Sequence, residues 1–209
     1  AIIIAFASTL RHRWDELGDG QRVAFVGEIE RAGKRLNDLI EDVLQVTRIE
    51  SGQVRTNVAP FDVLDAVRGL LAQWPTTPQP ALHISDSIDA KPSAVIASGD
   101  VMRTMQVLSN LLTNAHVHTP SGVDVWVEVA CDDDAVRVHV VDSGIGIPES
   151  ERERVFDRFV RLDTTEGGTG LGLYISRRLM QAQGGSLRLA PPHDGEGARF
   201  VVELPRVQH

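Results

Sequence analysis

The sequence predicts an α+β fold: a helical hairpin, then a layer of helices on one face of a mixed sheet. Three observations predict it. From Gln21 to about Ser51, apolar residues recur every three or four positions, which is the helical period. Two segments, "VDVWVEVA" (123–130) and "AVRVHVVD" (135–142), alternate apolar and polar residues as half-buried strands do. After Gly52, short αβ and ββ units mix, a pattern that suits helices packed on a sheet.

The first segment, "AIIIAFASTLRHRWDEL", sets Ile3, Phe6/Ala7, Leu10, Trp14 and Leu17 at helical spacing. No Ser, Thr, Asp or Asn precedes its apolar run to act as a cap. The expectation is therefore an N-terminally truncated helix, entered after its first turns. "GDG" at 18–20 signals a turn. In the second helix Val26, Ile29, Gly33, Leu36, Ile40, Val43 and Thr47 form the stripe, and Ala32, Leu39 and Val46 widen it. That breadth suits packing on two sides, as in a dimeric four-helix bundle built by two chains. A hairpin lying on its own domain is the alternative. The change at Gly52 places the expected domains at 1–52 and 57–209.

Further along, Asp62 after "APF" is placed to cap a helix to about Trp74, followed by the proline-rich loop "WPTTPQP" (74–80). Strands are expected near 81–85 and 93–97, and a helix from about Asp100 to Val117. The two alternating strands come next, joined by the acidic turn "CDDD". A helix near 170–183 and strands near 185–190 and 198–204 complete the chain.

Composition excludes several classes. The chain has 209 residues, 42 % of them hydrophobic, enough for one or two cored domains. A net charge of −8 argues against nucleic-acid binding, which needs a basic footprint. A lone cysteine, Cys131, excludes a disulfide framework and any cysteine-based zinc site. No apolar run approaches the roughly 20 residues of a membrane span.

Three segments carry the chemistry. In "NLLTNAHVHTP" (110–120), Asn110 and Asn114 stand four apart and share a helix face. Asparagine is a mediocre helix former, so two on one face suggest a use for their carbonyl oxygens, such as a hard cation like Mg²⁺. In "DSGIGIP" (142–148), Asp142 ends a buried strand, where a carboxylate needs a donor partner. Adenine's exocyclic amine is such a donor, whereas guanine shows a carbonyl there. In "VFDRFVRLDTTEGGTGLGLYIS" (155–176), Phe156 and Phe159 are placed to anchor a loop, with Arg158 and Arg161 near its base. Its glycines lead into a helix whose N-terminus suits phosphate. A phosphate loop of the Gly-Lys-Ser/Thr kind is excluded, because Leu173 and Tyr174 follow Gly172.

"NLLTNA…HT", "DSGIGIP", "VFDRF" and "GGTGLGL" resemble, in this order, the N, G1, F and G2 boxes of the sensor histidine kinases. "LNDLIEDVLQVTRIESG" (36–52) resembles the second helix of their dimerisation and phosphotransfer domain. The resemblance implies an α/β sandwich of the gyrase, Hsp90 and histidine kinase type, binding ATP and Mg²⁺ under a lid at 160–169. Matched by position, it implies ATP contacts at Asn110, Asn114, His118, Asp142, Gly144, Gly146, Ile147, Phe159, Arg161, Gly168, Thr169, Gly170, Leu171 and Gly172, with Asn114 and Asn110 toward the metal. It implies a homodimer through the hairpin, transfer of the γ-phosphoryl to a histidine, and relay to an aspartate of a response-regulator receiver domain. A cytoplasmic location is implied, with membrane contact only through upstream segments.

The departures are specific. No phosphoacceptor motif like His-Glu-Leu-Arg-Thr-Pro-Leu occurs, and "IIIAFASTL" resembles the stretch just downstream of it, so the acceptor histidine is expected before Ala1. His12 is followed by Arg13 rather than an acid and reads as a surface residue. Val117 stands where the N box often carries a basic residue, and Ala198 in "GEGARF" where a small hydroxyl residue is common. Two alternatives remain: a dimeric nucleotide-binding module without kinase activity, and a hydrolytic ATPase of the same fold. The second needs a catalytic Glu where this chain has Asn110.

Overall fold

The computed structural model describes residues 2–74, 82–86, 95–119, 125–162, 168–193 and 195–207. Helices α1 (Ile2–His12) and α2 (Asp19–Glu50) form the hairpin, separated by a 3-10 turn at Trp14–Glu16. Then follow β1 (Ala59–Asp62), α3 (Val63–Ala72), β2 (Leu82–Asp86), β3 (Ile96–Gly99), α4 (Val101–His118), β4 (Val125–Cys131) and β5 (Ala135–Asp142). Two further 3-10 turns, α5 (Gly172–Ala182), β6 (Ser186–Ala190) and β7 (Arg199–Pro205) complete the order.

The hairpin differs from expectation at its corner. The first helix stops at His12 instead of running to Leu17, because Arg13 leaves helical geometry (φ −127°, ψ 25°). Arg22 of α2 rewards the break: its Nε and Nη2 donate to the Trp14 carbonyl at 3.2 and 2.7 Å. Its guanidinium also lies 4.6 Å from the indole centroid, in cation–π range. Only Gly18 of "GDG" lies outside the helix; it is the N-cap of α2, and its N–H donates to Gln21 Oε1 at 3.1 Å. Phe6 and Phe25, 5.0 Å apart, close the hairpin. The broad stripe of α2 stays open in a single chain, with Leu36 51 % and Ile40 50 % exposed. Val46, buried, and Ile49 are its contacts with the core that follows.

A five-stranded sheet in the order β2-β4-β5-β7-β6 is the floor of that core, with β2–β4 parallel and the remaining pairs antiparallel. The strand expected near 93–97 is β3, and it pairs outside this sheet, antiparallel to β1. β1 was not legible because four residues including Pro60 are too few to show alternation. Residues 93 and 94, and most of the proline-rich loop, lie outside the described residues. No helix among the described residues is long and apolar enough to cross a membrane.

α4 and α5 lie on the sheet and fix the site. Val107, Leu108, Leu111, Leu112 and Ala115 of α4 repeat at three-four spacing and pack in one core with Ile175, Leu179 and Met180 of α5. Val127, Val129, Val138, Val140, Phe200 and Val202 supply the sheet side. Buried Gln183 ties the helices at the far end, accepting from Asp100 N at 2.6 Å and Thr104 Oγ1 at 3.3 Å. Asp100 in turn caps α4 through Arg103 N. Leu111 is fully buried between these layers. Leu111→Ala is therefore expected to cost about 2–5 kcal/mol in urea denaturation, the range for a leucine cavity. A loss below about 1 kcal/mol would show that the layer collapses freely around the gap.

Candidate functional site

Asp142 ends β5 with 6 % of its surface exposed. Its Oδ1 accepts from Gly144 N at 2.9 Å and from Ala198 N at 3.1 Å. Backbone bonds lace the same residue to the lead-in of β7: Asp142 N donates to Ala198 O, and Gly197 N to Asp142 O. Glycine is required on both sides of the carboxylate. A Cβ on Gly197 would stand 2.5 Å from Asp142 Oδ1, and one on Gly144 would stand 2.6 Å from the His118 carbonyl. Burial pushes the Asp142 carboxyl above its ordinary range, and the two amide donors pull the other way. A carboxyl in this position is largely shielded from bulk water, which would otherwise compete for its oxygens. Gly146 sits in left-handed geometry beside Gly197, and Ile147 packs on the core.

One face of α4 connects this cradle to the N-terminus of α5. Asn110 Nδ2 donates to the buried hydroxyl of Ser176 at 3.0 Å, and its Oδ1 occupies the space a Cβ on Gly172 would need. Asn114 stands one turn further along the same face, half-buried. Its carboxamide has no hydrogen-bond partner among the described residues. Two turns beyond Asn110, the exposed His118 presents its carbonyl to Gly144. Eight residues at 1.5 Å each put the α5 end and the Asp142 end about 12 Å apart along α4. The first turn of α5 has neither a side-chain cap nor an acidic residue, so no side chain of its own compensates its first N–H groups and their partial positive charge.

The segment before α5 departs from expectation at Phe159. Phe156 anchors as expected, 4 % exposed and edge-on to Phe200 at 6.3 Å. Phe159 does not: it is 63 % exposed, with φ at +61°. Its N–H donates to the Gly170 carbonyl at 2.8 Å, and a Cβ on Gly170 would strike the Phe159 backbone at 2.8 Å. That close approach turns Phe159 outward. Arg161 and Gly168 are exposed, whereas Leu171 is fully buried and can offer a ligand only its backbone. Residues 163–167 of the expected lid lie outside the described residues.

α2 holds both flanks of this segment. Thr169 Oγ1 donates to Asp42 Oδ2 at 2.5 Å and accepts from Leu171 N at 3.2 Å. Arg158 forms an ion pair with Glu50 and lies 4.9 Å from the Tyr174 ring centroid. Burial raises the Asp42 carboxyl against the Thr169 bond. Asp42, Glu50, Ser176 and Gly197 are site neighbours that the sequence reading did not name. Asp42 and Thr169 are 127 residues apart, so no spacing rule reaches that pair. Gly197 belongs to "GEGARF" (195–200), where two glycines flanking Glu196 are the available signal. Among the described residues no cluster of three His, Cys, Asp or Glu offers a metal site.

Residues 99–208 match the family described as histidine kinase-, DNA gyrase B-, and HSP90-like ATPase. The chain belongs to that family, among its sensor histidine kinases. It is 32 % identical over 213 residues to the circadian input-output histidine kinase CikA of Synechococcus elongatus, covering 97 % of this chain and 28 % of that protein. It is 30 % identical over 199 residues to the alginate biosynthesis sensor protein KinB of Pseudomonas aeruginosa, covering 95 % of this chain and 33 % of that one. It therefore spans no more than 33 % of either curated relative. The crystal structure of full-length ShkA in complex with AMPPNP is similar at a TM-score of 0.72 and 28 % identity, covering 92 % of this chain and 40 % of that one.

The raised Asp142 carboxyl makes a signed prediction. Its folded pKa lies above its unfolded value, so the folded chain holds its proton more tightly. The group's stability contribution is greatest at acid pH and is lost as pH rises through the folded pKa. Asp142→Asn keeps an Oδ1 acceptor and removes the buried charge. Its melting temperature relative to the native chain should rise as pH is raised above about 4, the ordinary aspartate value. A relative fall over that window would show that the carboxylate stabilises the free chain.

Proposed function

We propose that this chain is the nucleotide-binding core of a protein-histidine kinase, with residues 1–52 as its dimerisation and phosphotransfer hairpin and residues 57–209 as its ATP-binding domain. One observation carries the reading: a buried acid and an uncapped helix N-terminus stand at the two ends of a single face of α4. Asp142 accepts the exocyclic amine of adenine through Oδ2, the oxygen not used by Gly144 and Ala198. The α5 amides at Gly172 and beyond take phosphate oxygens. Asn114 offers a hard oxygen to Mg²⁺, with Asn110 held beside it by Ser176. Gly168, Thr169, Gly170 and Arg161 flank the phosphate end. Bound Mg-ATP supplies the γ-phosphoryl group, with the metal neutralising phosphate charge.

The hydrolytic alternative lacks a base at Asn110, whose carboxamide is bonded to Ser176 and takes no proton. His12 is a poor acceptor. Its Nδ1 lies 2.9 Å from the Ser8 carbonyl, Arg11 and Arg13 flank it in sequence, and no carboxylate bonds to it among the described residues. The acceptor is a histidine N-terminal to Ala1, and the phosphoryl group passes from it to an aspartate of a response-regulator receiver domain. Radiolabelled ATP tests this. The chain alone should stay unlabelled, and a second chain carrying the upstream helix should acquire acid-labile label. Label on this chain that disappears in His12→Gln would overturn the assignment.

Binding experiments separate the two ends of the site. Asp142→Asn should weaken ATP by about tenfold or more in calorimetry, since a hydrogen bond to a charged group is worth about 1.5–3 kcal/mol. Asn114→Ala should remove the enhancement of ATP affinity by Mg²⁺ and spare the affinity measured in chelator. Retention of the full enhancement would place the metal elsewhere.

The open stripe of α2 is the dimer seam of this reading. Leu36→Asp combined with Ile40→Asp puts two charges into it. Sedimentation should report a dimer for the native chain and a monomer for the variant. A native chain monomeric at tens of micromolar would count against the four-helix bundle.

A further inference from the structure

An ion pair at the start of β7 borders Asp142 directly. Arg199 and Glu196 meet as two forks: Nε donates to Oε2 at 3.0 Å and Nη2 to Oε1 at 2.5 Å. The Arg199 side chain is 9 % exposed and that of Glu196 15 %. A second anchor reaches across the sheet, from Arg199 Nη1 to Glu128 Oε2 on β4 at 2.9 Å, with His139 Nδ1 of β5 at 3.1 Å from the same nitrogen. Glu196 also accepts from His193 N at 2.8 Å.

The two residues spanned by this pair are Gly197 and Ala198, and they make all the backbone bonds to Asp142 from that side. Gly197 N donates to Asp142 O at 2.7 Å, Ala198 O accepts from Asp142 N at 3.0 Å, and Ala198 N donates to Asp142 Oδ1 at 3.1 Å. Ala198 has no hydroxyl to add a bond of its own. The aim of the carboxylate therefore depends on where residues 197 and 198 sit. A bidentate guanidinium–carboxylate pair fixes orientation as well as distance, which a single charge contact does not.

We propose that the Glu196–Arg199 pair is a positioning clamp for Asp142 and determines how strictly the site discriminates between purine bases. It does so by holding the Ala198 N–H on Oδ1, so that Oδ2 keeps one direction toward the ligand amine. Neither side chain is a catalytic residue. The inference rests on Asp142 reading the base, as proposed above.

The test compares ATP with inosine triphosphate, which carries a carbonyl where adenine carries its amine, by calorimetry on the native chain and on Glu196→Gln and Arg199→Lys. The native chain should prefer ATP by about tenfold or more. In both variants that preference should shrink by about threefold or more, while the factor by which Mg²⁺ strengthens ATP binding persists. Amide exchange at Ala198 and Gly144 in the nucleotide-free protein should quicken in the same variants. Glu196→Gln is nearly isosteric and keeps the test available if Arg199→Lys disturbs folding. An undiminished preference would overturn the clamp. So would equal weakening of both nucleotides, which is what a merely structural role produces. A native chain that binds both nucleotides equally would sink the base reading, and the clamp with it.

Discussion

A carboxylate removed from water is costly unless other donors replace its hydration, and Asp142 is 6 % exposed at the end of a central strand. Much of the surrounding backbone serves that group. Gly144 and Gly197 lack side chains where a Cβ would collide with Oδ1 or with the His118 carbonyl. The N–H groups of Gly144 and Ala198 supply two bonds to one oxygen. The compensation is incomplete, because burial still raises the carboxyl. In the proposed reading a ligand donor satisfies this buried acceptor, and the cost in the free chain becomes affinity in the bound one.

α4 acts as the ruler of the site. Its apolar side is locked into the core by Leu108, Leu111 and Leu112, which leaves the Asn110–Asn114 face no freedom to rotate. Gly172 lets α5 approach Asn110 closely, and the Asn110–Ser176 bond fixes the helix pair at that end. α2 then adds contacts from outside the sheet layer. Thr169 and Arg158 meet Asp42 and Glu50 on opposite sides of the undescribed residues 163–167, so the hairpin touches both flanks of the segment leading into α5.

The elements with strong periodicity were legible in the sequence: α2, α4, β4, β5 and the capping of α3 by Asp62 agree with the pattern that predicted them. What pattern could not supply was set by contacts distant along the chain. The α1 corner depends on Arg22 lying over Trp14. The pairing of β3 with β1 could not be read, because β1 has only four residues and includes Pro60. Phe159 carries the residue type of an anchor, but its positive φ and the Gly170 contact turn it to solvent. The quoted motifs marked Asp142, Asn110 and Asn114. They did not disclose that Ser176 holds Asn110, or that residues 196–199 form the other wall of the cradle.

The central claim is that Asp142 is a desolvated carboxylate awaiting a donor. Its own titration, followed through the side-chain carboxyl carbon by NMR with and without saturating ADP, tests that most directly. In the free chain the pKa should lie above the ordinary aspartate range. ADP should lower it, because an amine donor on Oδ2 stabilises the ionised form. A pKa that is unchanged or raised by ADP would mean that the nucleotide buries Asp142 further without bonding to it, and the account of base recognition would be wrong.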